Sequence, residues 1–306
     1  MNLSLKQKQL QANLLLLFAA AVWGFAFVAQ VKASESNIGP FLYNGIRYLI
    51  GAIVLIPILL IAERKQITAC SVKKTSVSAL ICGTVMMAAV NLQQFGIDCN
   101  MNAGKSGFIT GLYIVFIPIT GIFLGKKVGK FVWIAVVSAL VGLFLISFPN
   151  GFSGFNQSEL LGDLLILGSA FLWTAQILCV DKYAKKCSPI LFSILQFLAC
   201  GIISMIAALI FEEISINIIS AALLPILYGG LVSVGIGYTL QVVGQRHASP
   251  AVASIAMAGE SIFATIGGAL LLDEKMSLIQ YAGAFLMFSA ILLAQVNSSK
   301  SPESIE

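Results

Sequence analysis

Two charges sit where apolar sequence should exclude them. Arg47 lies within the run 40–62 and Glu260 within 249–272, each among residues that are otherwise almost wholly apolar. A helix-centre arginine is penalised by about 3 kcal/mol on insertion scales, so Arg47 must face protein or water. Its planar fork suits a carboxylate, which it can hold through two parallel hydrogen bonds. The competing reading is a side chain that reaches back to the membrane surface, about two turns away. Tyr43 and Asn44 lie one turn earlier, and Asn44 and Gly51 share the Arg47 stripe. Glu260 shares its stripe with Ala256, Ala264 and Gly268, a small-residue face that admits close helix contact. Two roles fit it: a carboxyl that takes up and releases a proton, or a structural group bonded across a helix interface.

Neutral polar groups recur at helical spacing. Asn91 and Gln94 stand at i, i+3; Ser169, Trp173 and Gln176 at i, i+4, i+7; Tyr238, Gln241 and Gln245 at i, i+3, i+7. Such stripes are too polar to face lipid. Any single amide serves equally well as a bond between helices, but three stripes together outline a central polar cavity. Trp23 and Tyr113 add flat apolar surface with a hydrogen-bonding edge. The candidate substrate contacts are therefore Trp23, Tyr43, Asn44, Arg47, Asn91, Gln94, Tyr113, Trp173, Gln176, Tyr238 and Gln241, with Glu260 as the candidate coupling group.

The elements that hold these residues are apolar runs long enough to cross a bilayer. Of the 306 residues 58% are hydrophobic and 10% charged, and the mean hydropathy is +0.96. A soluble domain is about a quarter charged, so a soluble enzyme is excluded. Between Leu14 and Val296 the pattern predicts ten transmembrane helices, near 13–32, 40–62, 75–96, 103–125, 131–148, 162–183, 188–211, 219–243, 249–272 and 277–296. Pro118 is expected to kink the fourth. With the N-terminus cytoplasmic, 14 of the 18 basic residues fall on the cytoplasmic side, among them Arg64, Lys74, Lys127, Lys186, Arg246 and Lys300. The positive-inside rule then puts both termini in the cytoplasm.

The second five helices resemble a worn copy of the first. Residues 91–127 align without a gap on 239–275, pairing Gln93 with Gln241 and Gly111 with Gly259, nine identities in 37. Pro40 and Pro189 open both second helices, and that register sets Asn44 and Arg47 on Ser193 and Gln196. Five spans per copy invert the second copy in the membrane, an arrangement many secondary transporters use. The fold class is all-α integral membrane, two inverted five-helix repeats, 1–150 and 151–306, joined by a Gly/Ser/Asn-rich link and followed by a short polar tail.

Little else carries chemistry. His247 is the single histidine, the six cysteines show no CxxC spacing, and neither a Walker motif nor GxGxxG is present. No cofactor or metal is expected. The basic residues lie between apolar spans and not on one compact face, which argues against nucleic acid.

The motifs Val22-Trp23-Gly24, Asn102-Ala103-Gly104-Lys105-Ser106-Gly107, and Ser249-Pro250-Ala251 through Leu272-Asp273-Glu274 resemble the EamA-type members of the drug/metabolite transporter superfamily. The chain departs from that pattern at Gly125-Lys126 and at Ser261, where the family often has Gly-Glu and proline. The resemblance implies export of amino acids or related metabolites across the cytoplasmic membrane by alternating access, with a small-molecule substrate and the bilayer as partners and protons as the candidate coupling ion. Uptake of a vitamin or nucleotide-like metabolite stays open, as do an integral-membrane enzyme and a substrate sensor. No catalytic cluster or soluble output domain supports the last two.

Overall fold

The computed structural model describes residues 5–62, 69–101, 103–125, 128–148, 160–186, 188–271 and 277–298. All regular elements in them are helical: α1 (Leu5–Glu35), α2 (Pro40–Ala62), α3 (Ala69–Asn100), α4 (Ala103–Gly111), α5 (Tyr113–Phe123), α6 (Lys130–Ser147), α7 (Leu160–Tyr183), a short 3₁₀ turn (Ala184–Lys186), α8 (Pro189–Phe211), α9 (Ile216–Ala221), α10 (Leu223–Leu227), a π-helix (Tyr228–Tyr238), α11 (Thr239–Gln245), α12 (Pro250–Met257), α13 (Glu260–Leu271) and α14 (Leu278–Ser298). Eight segments are long and apolar enough to cross a membrane, and the shorter apolar helices 130–146 and 278–294 bring the described segments to ten.

The burial pattern inverts that of a soluble protein. Ile61 and Phe123 are each 86% exposed, whereas Asn44, Arg47, Gln176, Gln196 and Gln245 are buried. Lipid is as apolar as leucine, so no hydrophobic force drives these helices together; close packing and hydrogen bonds must. Close packing is visible where α6 crosses α14: a Cβ on Gly142 would stand 2.8 Å from the Gly283 carbonyl oxygen, and the reverse holds equally. α2 packs on α8, α3 on α7 and α8, and α1 on the segment from α10 to α11.

Several elements differ from the sequence expectation. The fourth span breaks at Leu112 and not at Pro118. There Leu112 N–H donates to the Ile109 carbonyl at 3.2 Å, a tightened turn. Pro118, the sixth residue of α5, sits inside a continuous helix and leaves the Ile114 carbonyl without its usual donor. The ninth span breaks at Ala258–Gly259, with Ser261 N–H donating to the Ala258 carbonyl at 3.3 Å. In the register that pairs Gly111 with Gly259, Ala258–Gly259 falls on Thr110–Gly111, so the two breaks lie next to each other. The eighth span contains an eleven-residue π-helix, an uncommon widening that clusters at functional sites. Residues 149–159, Asn102, Lys126, Lys127, Asp273, Glu274, Lys275, Arg64, Lys65 and Lys300 lie outside the described residues, so the link between halves and the ends of the aligned repeat do too.

Candidate functional site

Both broken helices point their second halves at the centre of the bundle. Tyr113 opens α5, Glu260 opens α13, and the Tyr113 hydroxyl donates to Glu260 Oε1 at 3.4 Å. Ser261 ties the same helices together, its hydroxyl donating to the Gly107 carbonyl at 3.3 Å. Gly24 lets α1 approach this junction: a Cβ there would lie 2.6 Å from the Glu260 carbonyl oxygen. Backbone interrupted at mid-span is tolerated where it is buried in protein or lines a cavity, which is where both breaks sit.

The cavity at this junction holds about 460 Å³ of empty space, open solvent at its mouth included. Trp23, Arg47, Tyr113, Trp173, Tyr238, Gln241 and Glu260 line it. Tyr238 forms the middle of an aromatic wall, 4.7 Å between ring centroids from Trp23 and stacked on Trp173 at 5.7 Å. Trp23 is held from behind, its Nε1 donating to the Ser233 carbonyl in the π-helix at 3.3 Å.

Arg47 is 1% exposed and does not reach for the surface. Its Nε donates to Asn44 Oδ1 at 2.7 Å, and the Asn44 amide donates to Asn91 Oδ1 at 3.0 Å. Asn91 donates in turn to Ser204 Oγ at 2.9 Å. The guanidinium carbon lies 5.0 Å from the Tyr43 ring and 5.1 Å from the Tyr48 ring, a favourable setting for a cation. Tyr43, Asn44 and Asn91 therefore stand behind Arg47 and off the cavity lining, and they fix its direction.

Gln94 is placed off the cavity. Its amide donates to Ser34 Oγ at 2.9 Å and to Asp98 Oδ1 at 3.1 Å, because α1 and its own i+4 residue offer acceptors on that face. The neighbouring Gln93, about 100° round the helix, lines the cavity and donates to Thr110 Oγ1 at 2.9 Å. Its repeat partner Gln241 was the signal in the sequence that picks it out. Gln176 also sits behind the lining and accepts from Gln241 Nε2 at 3.0 Å. Gln30, Thr110, Ser233 and Met257 are lining residues that spacing alone did not reveal. Trp173 Nε1, Gln30 Oε1 and Gln241 Oε1 have no hydrogen-bond partner in the structure, which leaves one donor and two acceptors turned toward the cavity or its rim.

Lys105 does not stretch to the interface. It is buried in α4 and pairs with Asp163 of α7 at 2.7 Å.

Comparison with known proteins finds relatives that share most of the chain. An uncharacterized transporter of Archaeoglobus fulgidus is 27% identical over 290 residues, 94% of this chain and 87% of that one. The uncharacterized transporter YoaV of Bacillus subtilis is 26% identical over 278 residues, 89% of this chain and 92% of that one. A solved crystal structure matches with a TM-score of 0.72 at 16% identity, covering 94% of this chain and 98% of the other, which supports the fold alone. The model of the EamA-like transporter family matches twice, over residues 10–148 and 160–295, and on that match the chain belongs to the EamA-like transporter family.

Proposed function

We propose that this chain is a secondary active transporter that exports amino acids or related small metabolites across the cytoplasmic membrane, with both termini in the cytoplasm. The observation that carries the reading is the pairing of opposite chemistries in one cavity. Arg47 presents a fixed cation at one wall and Glu260 a carboxyl at another, with Trp23, Trp173 and Tyr238 between them. A zwitterion with an apolar portion meets a partner at each point. The halves 1–150 and 151–306, each with a broken fourth helix, supply two units that can rock about the cavity. The positive-inside distribution supports the orientation.

Glu260 fits the coupling role because it touches both the cavity and the junction of the broken helices. The test is flux in proteoliposomes loaded with a mixture of labelled amino acids. The wild-type protein should move at least one component faster when a pH gradient is imposed. Glu260→Gln keeps the shape of a protonated carboxyl, so it should retain exchange of that component while losing the response to the gradient. A variant that still accumulates substrate with ordinary pH dependence removes Glu260 from the coupling role.

A further inference from the structure

α7, α8 and α11 meet around Val242, which packs with Val180 of α7 and Phe192 of α8. Besides Asp163 and Asp181 of α7, the polar groups these three helices bury are amides and hydroxyls, and many of them have nothing to bond. Gln196 is fully buried, yet neither its Oε1 nor its Nε2 has a partner. The same holds for Ser193 Oγ one turn earlier, and for Gln176 Nε2, Thr239 Oγ1, Gln241 Oε1 and Gln245 Oε1. The bonds that do form tie α11 to α7: Gln241 to Gln176, and Gln245 Nε2 to the Ile177 carbonyl at 3.1 Å. Gln241 and Ile177 also line the central cavity. Gln245 follows Gln241 by one turn toward the end of the bundle that holds the 3₁₀ turn Ala184–Lys186.

A buried polar group left without a partner is costly, because it has given up its bonds to water and gained none in return. Seven such atoms on three helices describe a contact that is dry in one conformation and wet in another. The geometry points to this seam as a second binding region: the closed leg of the transport path from the cavity to the cytoplasmic end, where water and uncharged hydrogen-bonding groups of the substrate are taken when that end opens. At the mouth of the leg Lys185 pairs with Asp181 at 2.8 Å, and Arg246, Lys8 and Lys185 stand around His247. The seven unbonded atoms all belong to uncharged side chains, so the leg itself selects for hydrogen-bonding groups, unlike the cavity. This inference rests on the transporter reading above.

Accessibility tests it. In a chain whose six native cysteines are replaced, Gln245→Cys, and separately Ser193→Cys as the smaller change, are treated with a charged, membrane-impermeant methanethiosulfonate in inside-out and right-side-out vesicles. Modification should occur in inside-out vesicles only. Adding Gln196→Met, which deletes both orphaned atoms at nearly constant volume, should favour the closed form, slow modification at least tenfold, and leave the melting temperature of the purified protein equal or higher. Thiols inert from both sides, modification from the right-side-out face, or a rate indifferent to Gln196→Met would each overturn the proposal. A Gln196→Met protein that melts lower would show that the amide is structural, which also overturns it. Failure of the transporter reading looks different: wild-type proteoliposomes would then show no flux, whereas failure of the seam leaves wild-type flux intact.

Discussion

α2 and α8 hold the same place in the two halves, and they are furnished in opposite ways. Each opens on a proline, Pro40 and Pro189, and each carries a polar pair about one turn in. In α2 the pair is Asn44 and Arg47, bonded to each other and onward to Asn91 and Ser204. In α8 the pair is Ser193 and Gln196, equally buried and unbonded. The helix starts differ as well. α8 is capped by its own Ser188, whose side chain accepts from Leu191 N–H at 3.2 Å. α2 has Gly39 at the matching position and borrows Glu212 from the end of α8, which accepts from Phe41 and Leu42 N–H at 2.8 and 2.7 Å. One fold position thus yields a charged anchor held by its neighbours in one copy and a neutral, under-bonded surface in the other. A buried charge survives only with its partners in place, so α2 is suited to stay put. Neutral amides tolerate both a dry and a wet state, so α8 is suited to change its surroundings.

Removing the anchor should have the largest effect. Arg47→Gln is expected to lower the initial flux of carboxylate-bearing substrates about a hundredfold, the scale of losing one partner of a desolvated charge contact. Folded protein should remain near normal, because the neutral amide leaves no unpaired charge. Arg47→Lys should fall between, since an ammonium keeps the charge and loses the planar fork. Initial rates in proteoliposomes normalised to protein decide it, and wild-type rates in Arg47→Gln would reduce the α2 cluster to a structural device.

Making the copies alike is the next largest change. Gln196→Arg gives α8 a buried guanidinium without the asparagine that orients Arg47, and insertion of such a residue costs about 3 kcal/mol. Folded yield in detergent should collapse, and Ser193→Asn in the same chain should recover part of it by restoring an i, i+3 acceptor. Full yield from Gln196→Arg alone would mean that the α8 face is already wet in this conformation.

Sequence reasoning reached the spans because length and hydropathy decide them, and it reached Arg47 and Glu260 because charge in an apolar run is conspicuous. It missed the breaks. The breaks carry only glycine, Gly111 before Leu112 and Gly259 after Ala258, whereas Pro118, the obvious breaker, sits within a continuous α5. The breaks arise from packing between helices, which a local pattern does not encode. Gln94 was favoured over Gln93 for a related reason: the stripe with Asn91 is genuine, but the rotation of α3 gives that face to Ser34 and Asp98 of the same end and gives Gln93 to the cavity. The π-helix at 228–238 likewise leaves no signature beyond its glycines.

The smallest expected effect separates the two helix caps. Burial pushes the Glu212 carboxyl above the ordinary carboxylate range, and the Phe41 and Leu42 N–H groups oppose that rise without cancelling it. The nearby Asp98 adds to the rise. A carboxyl whose folded value lies above its unfolded one holds a proton in the folded state that the unfolded chain has released. Its stabilising contribution is therefore complete below the unfolded value and is lost as pH rises through the folded one. Glu212→Gln removes this titration, so its melting temperature in detergent should gain on the wild type as pH goes from 5 to 8. Glu212 is only half-buried, and solvent screening holds the change to on the order of 1–2 °C. The Ser188 cap contains no group that ionises in this interval. Ser188→Ala should lower the melting temperature by a similar amount at every pH, about 1 kcal/mol in stability. Parallel curves for wild type and Glu212→Gln would place the Glu212 carboxyl at its solution value and leave the two caps equivalent, dissolving that part of the contrast between α2 and α8.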